Sequence, residues 1–575
     1  MNKTLTKIKK NIKKNINEDI ECFKWHSSVV LEGEVDKWED VILAGRLAAN
    51  KGYKGVVNNI EVKGLNIPKI KSPLVNDNSL ENRFVDILII GGGVIGCSIA
   101  RELSKWDCSV LLLEKEEDLA MHTSSRNDGM IHPGLVPKPG TKKAYFNVKG
   151  NKLYSKVTKE LDVSFKRIGS LILLDKNYLK VTWPLIKRRA KLNKVKGVKL
   201  LSKKELIKKE PNISKGVVGA IYIPSTGVLS PYEMTLAYGE NAVDNGVKIS
   251  LNTIVESIEK IKDKIVSVKT NRGKVYPKLV INAAGVYADY IAEMAKDKFF
   301  TIHPRKGEIV LLDKKRGAFI ESVLAKLDLS IKNSKTKGGG LVKTIEGNIL
   351  VGPNAYEQPF KEDYITNKDT VDKMLNSHLE IIPKLSKSDV ITYFAGTRAA
   401  TYEEDFIVER SEYVKNLVYA AGIQSPGLAS APAIAREIKK ISIDILKKQM
   451  NIKKKNYWNP KRKKGPKLNL LTLEERNKLI KERSEYGDII CRCEEISKGE
   501  IIDALNSKIP ASSIDAIKRR TRAGMGRCQG GFCMPLITKI IKEEKKIDMT
   551  NITKKGKSSF ILVEETKCSN KEGEN

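Results

Sequence analysis

Hydrophobic and polar positions alternate in the first patterned segment of the chain, residues 27–63. The run SSVVLEGEV alternates apolar and polar side chains as a half-buried strand does, and the run GVVNNIEV repeats this pattern. Between them, WEDVILAGRLAANKG carries apolar residues at helical spacing. The pattern predicts a β-α-β unit, which we place in a small α+β domain over residues 1–66.

A second and much longer patterned region follows a break. Residues 67–83 contain Pro, Ser and Asn without periodicity, which is typical of a linker. Over residues 84–445, strand-like runs such as VDILII, SVLLLE and KLVINAAG alternate with helical segments. This alternation predicts an α/β domain built around a parallel sheet.

The remainder of the chain changes character twice. Residues 446–486 begin with a stretch rich in Lys and Asn, which predicts a solvated linker. Residues 487–545 predict a last compact unit, whereas residues 546–575 predict a frayed polar tail. The predicted fold class is therefore α/β, with a small additional domain on each side of the main one.

Composition fits a multidomain globular protein. The 575 residues exceed what one core usually organises, and 41% hydrophobic residues supply enough apolar surface for folding. The net charge of +35 would attract phosphorylated substrates or anionic lipid surfaces. Because the Lys residues are scattered and no helix-turn-helix, zinc-finger or RNP-like pattern accompanies them, we expect no nucleic-acid partner.

The N-terminal stretch MNKTLTKIKKNIKKNINEDI is basic, but it lacks the continuous apolar run of a secretory signal. No run of about 18 apolar residues occurs elsewhere in the chain. Eight Cys residues are too sparse for a disulfide framework and suit a reducing compartment. We therefore expect a cytoplasmic protein that spans no membrane, with peripheral contact to a membrane surface left open.

A dinucleotide-binding fingerprint opens the main domain. The strand VDILII leads into Gly91-Gly-Gly93-Val-Ile-Gly96, and the helical CSIARELSKWD follows. Gly91 permits a tight turn, Gly93 lets the backbone approach a pyrophosphate, and Gly96 lets the helix pack on the strand. The next strand ends at Glu114, whose carboxylate can accept hydrogen bonds from ribose hydroxyls. FAD and NAD share this fingerprint, whereas Glu114 disfavours NADP.

Further motifs with small and polar residues occur downstream in HTSSRNDGMIHPG, VINAAGVYADY and VYAAGIQSPGLASAPAIA. They supply small residues where a cofactor passes close to the backbone, and the last one starts a helix whose N-terminus would face the cofactor. The candidate cofactor-binding residues in these motifs are Ser124, Ser125, Asn127, Gly129, Ala283, Gly285, Gly422, Gln424 and Gly427.

In this order, and together with FAGTRAATYEEDFIVE, these motifs resemble the FAD-dependent glycine/D-amino-acid oxidase superfamily. Within it, the chain is similar to the glycerol-3-phosphate dehydrogenase and L-2-hydroxyglutarate oxidase branch over about residues 84–440. The resemblance implies non-covalently bound FAD in a Rossmann-type domain, interleaved with a substrate domain built on an antiparallel sheet. Residues 27–63 resemble a BON module, a family linked to phospholipid or ligand surfaces; a structural appendage is the alternative.

Four of the Cys residues form a C-x-C…C-x4-C set, namely Cys491, Cys493, Cys528 and Cys533. Four thiolates can hold a [2Fe–2S] cluster or a tetrahedral Zn²⁺. The spacing resembles the BFD-like [2Fe–2S] domain, in which helices carry the ligands, and a neighbouring flavin domain favours a cluster that accepts single electrons. Cys22, Cys97, Cys108 and Cys568 lack ligand spacing.

Oxidation of a hydroxy compound by a flavin requires a base for the hydroxyl proton and a cation for an anionic substrate group. His132, in GMIHPG, is the candidate base because a neutral imidazole accepts a proton near pH 7; a structural histidine is the alternative. Arg398, in FAGTRAA, is the candidate anchor because its guanidinium fork matches carboxylate or phosphate, and the resemblance implies the same role. A salt bridge from Arg398 to Glu403 or Asp405 is the alternative.

The anion itself stays open between phosphate and carboxylate. Glycerol 3-phosphate members of the family usually carry a proline soon after the arginine, whereas Ala399-Ala400 stands here and favours neither branch. Lys343 and Arg305 could add positive charge. We rank glycerol 3-phosphate first, because an iron–sulfur appendage resembles the anaerobic dehydrogenase design, and L-2-hydroxyglutarate second. The electron acceptor, a protein or a quinone, is not identified by the sequence.

A rival class is an FAD- and cluster-bearing electron-transfer subunit without chemistry of its own. Such a protein would tolerate the loss of His132 and Arg398, whereas an enzyme would not. Flavin reduction measured after replacing each residue separates the two classes.

Overall fold

The first 62 residues include a three-stranded sheet covered by two helices. The computed structural model of the protein describes residues 3–327 and 339–564. Its first elements are α1 (Lys3–Asn15), β1 (Glu21–Trp25), β2 (Ser28–Val35), α2 (Trp38–Ala48) and β3 (Val56–Val62). Strand β2 pairs antiparallel with β1 and parallel with β3, so the expected β-α-β order is present. Ile8 and Ile12 of α1 are buried in this domain, which leaves the Lys-rich side of α1 outermost.

The region between residues 83 and 446 contains two sheets whose strands alternate along the chain. Its strands are β4 (Arg83–Ile90), β5 (Val110–Leu113), β6 (Met130–Ile131), β7 (Phe165–Arg167), β8 (Ser170–Leu174), β9 (Lys199–Ser202), β10 (Gly219–Ile223), β11 (Gly227–Leu229), β12 (Lys248–Ser250), β13 (Val255–Ile261), β14 (Lys264–Thr270), β15 (Gly273–Asn282), β16 (His303–Leu312), β17 (Val323–Lys326), β18 (Gly340–Lys343), β19 (Ile349–Gly352), β20 (Tyr356–Glu357), β21 (Val390–Ala400), β22 (Ile407–Arg410) and β23 (Leu417–Ala421). Its helices are α3 (Val94–Leu103), α4 (Lys142–Glu160), α5 (Trp183–Leu192), α6 (Lys203–Lys209), α7 (Pro231–Asp244), α8 (Ala288–Met294), α9 (Lys368–Leu379) and α10 (Gly427–Leu446).

The first sheet has the order β12-β5-β4-β15-β14-β13, with β23 also pairing with β15. Strands β12, β5, β4, β15 and β23 run parallel to one another. Helices α3, α4, α7 and α10 pack on one face of this sheet and α8 on the other, so β4 is apolar on both sides. The carboxyl ends of the parallel strands therefore meet at one edge, the usual place for a ligand in such a sheet.

The second sheet has the order β20-β16-β19-β18-β17-β8-β10-β9, and β21 pairs with β16. Its neighbouring strands are antiparallel except for the pair β17 and β8. The predicted fold class, a Rossmann-type domain interleaved with an antiparallel substrate sheet, is confirmed. Because β21 leads directly toward β22 and β23 of the first sheet, the two sheets are held against each other.

A small, mainly helical unit follows. It contains β24 (Ile489–Cys491), β25 (Ile496–Ser497), α12 (Lys498–Leu505), α13 (Ile514–Thr521) and α14 (Met534–Lys545), preceded by α11 (Leu473–Glu482). Buried Ile and Leu side chains from all three of its helices form its core. Ser497 and Glu500 form a capping box that starts α12.

The Lys-rich stretch after α10 lies closer to the main body than a solvated linker would. Trp458 donates a hydrogen bond from Nε1 to Ser104 Oγ at 3.0 Å, and Arg462 forms an ion pair with Glu240. Side-chain partners on α3 and α7 thus hold the stretch down, which the Lys-rich composition did not indicate.

The segment after α14 is also ordered as far as it is described. Ile552 is 1% exposed, and Ile514 donates its backbone N–H to Thr553 O at 3.2 Å. The first part of the predicted tail therefore packs on the cluster unit as far as Ile561, whereas residues 562–564 are exposed and Cys568 lies outside the described residues. In the described ranges, no helix has the length and apolarity needed to cross a membrane.

Candidate functional site

The glycine turn after β4 has no room for side chains. A Cβ atom on Gly91 would lie 2.4 Å from Ala283 O, and one on Gly96 would lie 1.9 Å from Gly91 O. Gly91 also has a φ of +112°, which side-chain-bearing residues rarely adopt. The turn, the start of α3 and the end of β15 thus approach one another as closely as backbones can. Such a cradle fits the pyrophosphate of a dinucleotide.

The side chains of Glu114 and Ser124 accept hydrogen bonds from backbone N–H groups of this turn. Glu114 Oε2 accepts a hydrogen bond from the N–H of Gly92 at 2.7 Å, and burial raises the pKa of its carboxyl. Ser124 Oγ accepts one from the N–H of Val94 at 2.9 Å, at the first residue of α3. Two residues predicted from distant motifs therefore meet at the helix N-terminus where phosphate and ribose oxygens are expected.

The loops after β15 and β23 lie at the same edge of the sheet. Ala283 donates its N–H to Ile90 O at 3.0 Å, which joins the NAAG motif to the glycine turn. Gly285 and Gly422 have φ values of +57° and +62°, so both loops turn sharply on leaving their strands. Gly427 is the first residue of α10. These residues fit the extended FAD site predicted from the sequence.

The polar loop over residues 122–129 is stabilised from within. Asn127 donates from Nδ2 to Thr123 O at 3.0 Å and accepts the N–H of Gly129 at 3.0 Å. Ser125 donates from Oγ to His122 O at 3.2 Å. These hydrogen bonds fix the shape of the loop, so Asn127 and Ser125 contribute to the predicted site mainly by stabilising its backbone.

The same loop docks on β21 directly beside the candidate anchor. Thr123 Oγ1 donates to Thr397 O at 2.6 Å, and Arg126 Nη1 donates to Ala395 O at 3.2 Å. Gly396 is needed between them, because a Cβ there would lie 2.5 Å from Arg126 O. The predicted flavin loop and Arg398 therefore occupy neighbouring positions.

The side chain of Arg398 is partly buried, and its guanidinium is bonded to neutral carbonyls. Its Nη2 donates to Asn354 O at 3.1 Å and its Nη1 to Lys306 O at 3.4 Å. Burial and the nearby Arg305 lower the pKa of Arg398 to about 10, while Asp128 acts in the opposite sense. A desolvated cation held in this way attracts an anionic ligand strongly.

The alternative of a salt bridge from Arg398 to Glu403 or Asp405 is not found. Within residues 3–327 and 339–564, no carboxylate lies within the 4.0 Å ion-pairing distance of Arg398. Glu403 instead accepts the N–H of Val56 at 2.8 Å. Asp405 accepts the N–H of Lys142 at 2.9 Å, at the start of α4.

The two additional cations have different surroundings. Arg305 lies opposite Arg398 in the β16–β21 pair, but its ion pairs with Glu357 at 2.9 Å and Glu404 at 2.6 Å balance its charge. Lys343 lies on β18, two strands away from β16, and pairs with Glu321 at 3.3 Å. Arg305 is therefore a direct neighbour of Arg398, whereas Lys343 lies two strands away from β16.

His132 follows β6 and is held through its backbone. Its carbonyl oxygen accepts hydrogen bonds from Asn147 Nδ2 at 2.7 Å and Asn151 Nδ2 at 3.0 Å, and both donors are buried residues of α4. The imidazole itself is partly exposed. A side chain on a fixed backbone next to the flavin loop suits a positioned proton acceptor.

The four predicted cluster ligands come together in the C-terminal unit. Cys493 Sγ lies 3.8 Å from Cys491 Sγ and 3.9 Å from Cys528 Sγ, and Cys533 is hydrogen-bonded to Cys491. The backbone N–H groups of Gly530 and Phe532 lower the pKa of Cys528. The hydrogen bond with Cys491 lowers the pKa of Cys533 as well. Four thiols in contact, two of them made easier to ionise, fit a cluster bound by thiolates.

The cluster loop touches the start of α7, which in turn touches the flavin loop. Tyr232 donates from its hydroxyl to Met525 Sδ at 3.4 Å. A Cβ on Gly129 would lie 3.4 Å from the ring of Pro231. One turn of helix thus separates the loop predicted to bind flavin from the loop that carries the cluster ligands.

Sequence reasoning missed a polar cluster beside Ser124. His122 Nε2 lies 2.9 Å from Glu116 Oε1, and its Nδ1 lies 2.5 Å from the hydroxyl of Tyr364. Lys115 forms ion pairs with both Glu116 and Glu362. The position of His122 in the HTSS motif was the available signal, whereas residues 362–364 come from a distant loop without any local pattern.

Comparisons with known proteins agree with this geometry. Residues 86–441 match the family model described as FAD dependent oxidoreductase, and residues 489–543 match the BFD-like [2Fe-2S] binding domain. Glycerol 3-phosphate dehydrogenase of Caloramator mitchellensis is 42% identical over 84% of this chain and 99% of its own length. Mitochondrial L-2-hydroxyglutarate dehydrogenase of Homo sapiens is 26% identical over 60% of this chain and 82% of its own.

The fold agrees with a solved structure that contains the cofactor. Dithionite-reduced L-alpha-glycerophosphate oxidase of Mycoplasma pneumoniae with FAD bound has 30% sequence identity and a TM-score of 0.61, covering 66% of this chain and 98% of that one. The predicted FAD and [2Fe–2S] cofactors are thereby confirmed, while a BON-like N-terminal domain stays a prediction. The chain belongs to the FAD dependent oxidoreductase family and carries a BFD-like [2Fe–2S] domain after the flavin domain.

Proposed function

We propose that the protein oxidises glycerol 3-phosphate to dihydroxyacetone phosphate. The observation that carries this proposal is Arg398, a partly buried guanidinium that, among the described residues, is bonded to two backbone carbonyls and lies adjacent to the loop over residues 122–129. Similarity over most of the chain to a glycerol 3-phosphate dehydrogenase supports the same substrate.

Each candidate residue has one task in this reaction. Arg398 binds the phosphate through its planar fork and so sets the distance between the anchored group and the reacting carbon. His132 accepts the proton of the hydroxyl on that carbon while the hydride leaves the same carbon. Bound FAD supplies the hydride acceptor. The substrate thus loses one proton and one hydride, and its hydroxyl becomes a ketone.

Cys491, Cys493, Cys528 and Cys533 would hold the [2Fe–2S] centre, which when bound would accept the two electrons one at a time. The contact between Tyr232 and Met525 supports a direct route from the flavin side. The final acceptor in this proposal is a protein or a quinone. A quinone would place the protein at the periphery of a membrane, where the exposed Lys side of α1 would be attracted to anionic lipids.

L-2-hydroxyglutarate is the second candidate substrate. The similarity to human L-2-hydroxyglutarate dehydrogenase favours it, and a guanidinium fork matches a carboxylate as well as a phosphate. The reaction steps assigned to Arg398 and His132 would be the same with either substrate.

Anaerobic mixing of the purified protein with each compound tests the proposal. Bleaching of the flavin colour by glycerol 3-phosphate, and not by L-2-hydroxyglutarate, is the expected result. Bleaching by L-2-hydroxyglutarate alone would transfer the assignment to the second candidate. Failure of both compounds to bleach the flavin would support the rival electron-transfer subunit, whereas unchanged bleaching after replacing His132 and Arg398 would remove these two residues from the reaction.

A further inference from the structure

The N-terminal domain, residues 3–62, lies outside both matching family models, which cover residues 86–441 and 489–543. It nevertheless docks where β16, β20 and β21 meet beside Arg398. Taking the anion site of the proposed function as given, we propose that this domain is a positioning element for that site. Through Arg46 and Tyr402 it holds Glu357 and Arg305, and thereby the loop after β23, in their places around Arg398.

Tyr402 inserts into the core of the N-terminal domain. It follows β21 by two residues, is 2% exposed and packs with Ile and Val side chains of the domain. Gly45 of α2 makes the space, because a Cβ there would lie 2.3 Å from the tyrosine ring. Asn58 Nδ2 donates to the Tyr402 hydroxyl at 2.9 Å and to Val41 O at 2.8 Å, so the ring has one orientation.

Contacts continue from Tyr402 to a carboxylate shared by the two domains. The Tyr402 ring stacks on His303 with 4.5 Å between ring centroids, and His303 Nδ1 lies 2.8 Å from Glu357 Oε2. Glu357 Oε1 accepts a hydrogen bond from Arg46 Nη2 at 2.8 Å and from Arg305 Nε at 3.0 Å. Burial alone would raise the pKa of Glu357, but His303 and Arg305 lower it to about 2, so the carboxylate stays charged.

Arg305 carries these contacts to the loop after β23. Its Nη1 donates to Gln424 Oε1 at 3.0 Å, and Gln424 Nε2 donates to Glu404 Oε2 at 2.8 Å. Glu404 also pairs with Arg305 Nη2 at 2.6 Å. The loop after β23, which is predicted to contact the cofactor, is therefore connected to a charge network that begins at Arg46, on the surface of another domain.

The network also determines how Arg398 and Arg305 can coexist. The two residues lie opposite each other on paired strands, where like charges repel. Glu357 and Glu404 balance Arg305, which leaves the charge of Arg398 available for a ligand. If Glu357 were no longer held in place, the charge of Arg305 would be less well balanced and would repel Arg398. Arg398 would then move from its position, and we expect weaker anion binding as the first effect.

The docking of the domain does not depend on this network alone. Ser28 Oγ donates to Phe299 O at 2.8 Å, and Lys54 pairs with Glu409 at 2.6 Å and Glu412 at 2.8 Å. Conservative changes at Arg46 or Tyr402 should therefore leave the domain docked. Because docking and the charge network can be changed independently, a positioning role of the domain can be distinguished from a purely structural one.

The test uses the full chain with FAD bound and the variants R46Q and Y402F. R46Q removes the cation that holds Glu357, and Y402F removes only the hydroxyl that Asn58 orients. K63Q is the matched control, because Lys63 pairs with Asp36 on the exposed side of the same domain. The measurements are the dissociation constant of inorganic phosphate by calorimetry, the KM and kcat of glycerol 3-phosphate, and the melting temperature.

We expect R46Q and Y402F to weaken phosphate binding and raise KM by about three- to tenfold, the effect of losing one hydrogen bond, with kcat changed by less than about twofold. K63Q should match the unchanged protein, and R46K should recover part of the loss because it retains the charge. Unchanged phosphate affinity and KM in both variants would overturn the inference, as would a fall in kcat with KM unchanged. If one of the two variants unfolds, the phosphate affinity and KM of the other variant test the inference.

The inference and the proposed function fail in different ways. If phosphate binds but glycerol 3-phosphate is not oxidised, the proposed function fails, while the phosphate affinities of the variants still judge the inference. If the unchanged protein binds L-2-hydroxyglutarate and not phosphate, that compound becomes the probe in the same experiment.

Discussion

Gly96 and Arg398 show what single residues reveal from sequence. The glycines of the turn were predictable, because a strand, a tight turn and a helix N-terminus impose steric requirements that a short motif records. The role of Arg398 as an anchor stays a prediction from its motif. Its surroundings were not predictable, because Lys306 and Arg305 of β16 and Asn354 of the loop before β20 reach it through contacts that no local pattern encodes.

At Gly96 we expect alanine to abolish FAD binding. The added methyl group would lie 1.9 Å from Gly91 O, so α3 must move away from the turn. The matched control is G216A, because Gly216 has only Ser214 Oγ within 4 Å, at 3.9 Å. Purified G96A should lack the flavin absorption bands and fail to take up added FAD, whereas G216A should contain FAD; the cluster colours both proteins. A G96A protein with normal FAD content would contradict the assignment.

At Arg398 we expect lysine to lower kcat/KM for glycerol 3-phosphate by about 10- to 100-fold. Lysine keeps the charge but loses the planar fork, and a hydrogen bond to a charged group contributes about 1.5–3 kcal/mol. Steady-state kinetics measure the loss, and the flavin absorption spectrum verifies that FAD stays bound. R316K serves as a control, because Arg316 pairs with Asp389 outside the site. Wild-type kinetics in R398K would remove Arg398 from the reaction.

At the level of elements, the sequence pattern predicted helices and strands more reliably than it predicted which segments are solvated and irregular. The β-α-β order of the N-terminal domain and the two Cys pairs were predictable, since alternation and ligand spacing are local. The packing of the stretch after α10 and of the segment after α14 was not. Lys-rich sequence looks solvated, yet Trp458 and Ile552 bury themselves against partners that lie far away in sequence.

The loop–helix arrangement of the cluster domain leads to a test of its ligands. We expect C493S to lose the cluster, because serine replaces a soft thiolate that lies in contact with two other ligands. Iron content and visible absorption should fall while FAD stays bound. C108S is the matched control, because burial raises the pKa of Cys108 to about 12 and Cys108 is not part of the group of four candidate ligands. Full iron content in C493S would contradict four-Cys ligation.

For the whole molecule, one of the contacts that join the cluster domain to the flavin domain is the buried carboxylate of Asp118. Asp118 pairs with Arg519 at 2.7 Å and with Arg520 at 2.8 Å. Burial alone would raise the pKa of Asp118, but the two arginines lower it below 3.8. The stability from this contact is therefore present at neutral pH and is lost as the pH falls below about 4.

We expect D118N to weaken domain docking by about 3–5 kcal/mol, because two buried guanidinium groups lose their counter-charge. Limited proteolysis between the two domains and the melting temperature measure this effect. D36N is the control, since Asp36 forms an exposed ion pair within the N-terminal domain. Equal protease resistance of D118N and the unchanged protein would contradict the prediction.

The junction with the N-terminal domain should respond to pH in the opposite direction. Burial, with a further contribution from Glu404, raises the pKa of Glu403 from 4.5 to about 7. The folded protein therefore binds more protons than the unfolded chain between these values, and stability falls as the pH rises from 4.5 to 7. In E403Q this part of the pH dependence of the melting temperature should vanish. A melting temperature with the same slope in E403Q would assign it to another group.

The insertion of Tyr402 into the N-terminal domain also bears on how the chain is made. Residues 3–62 leave the ribosome long before residue 402 is translated, so their core first closes around a hole of the size of a phenol ring. A cavity of this kind is costly, and the nascent domain should therefore be weak and sensitive to proteases. The first domain to emerge is finished only when most of the polypeptide exists, which couples its maturation to completion of the flavin domain.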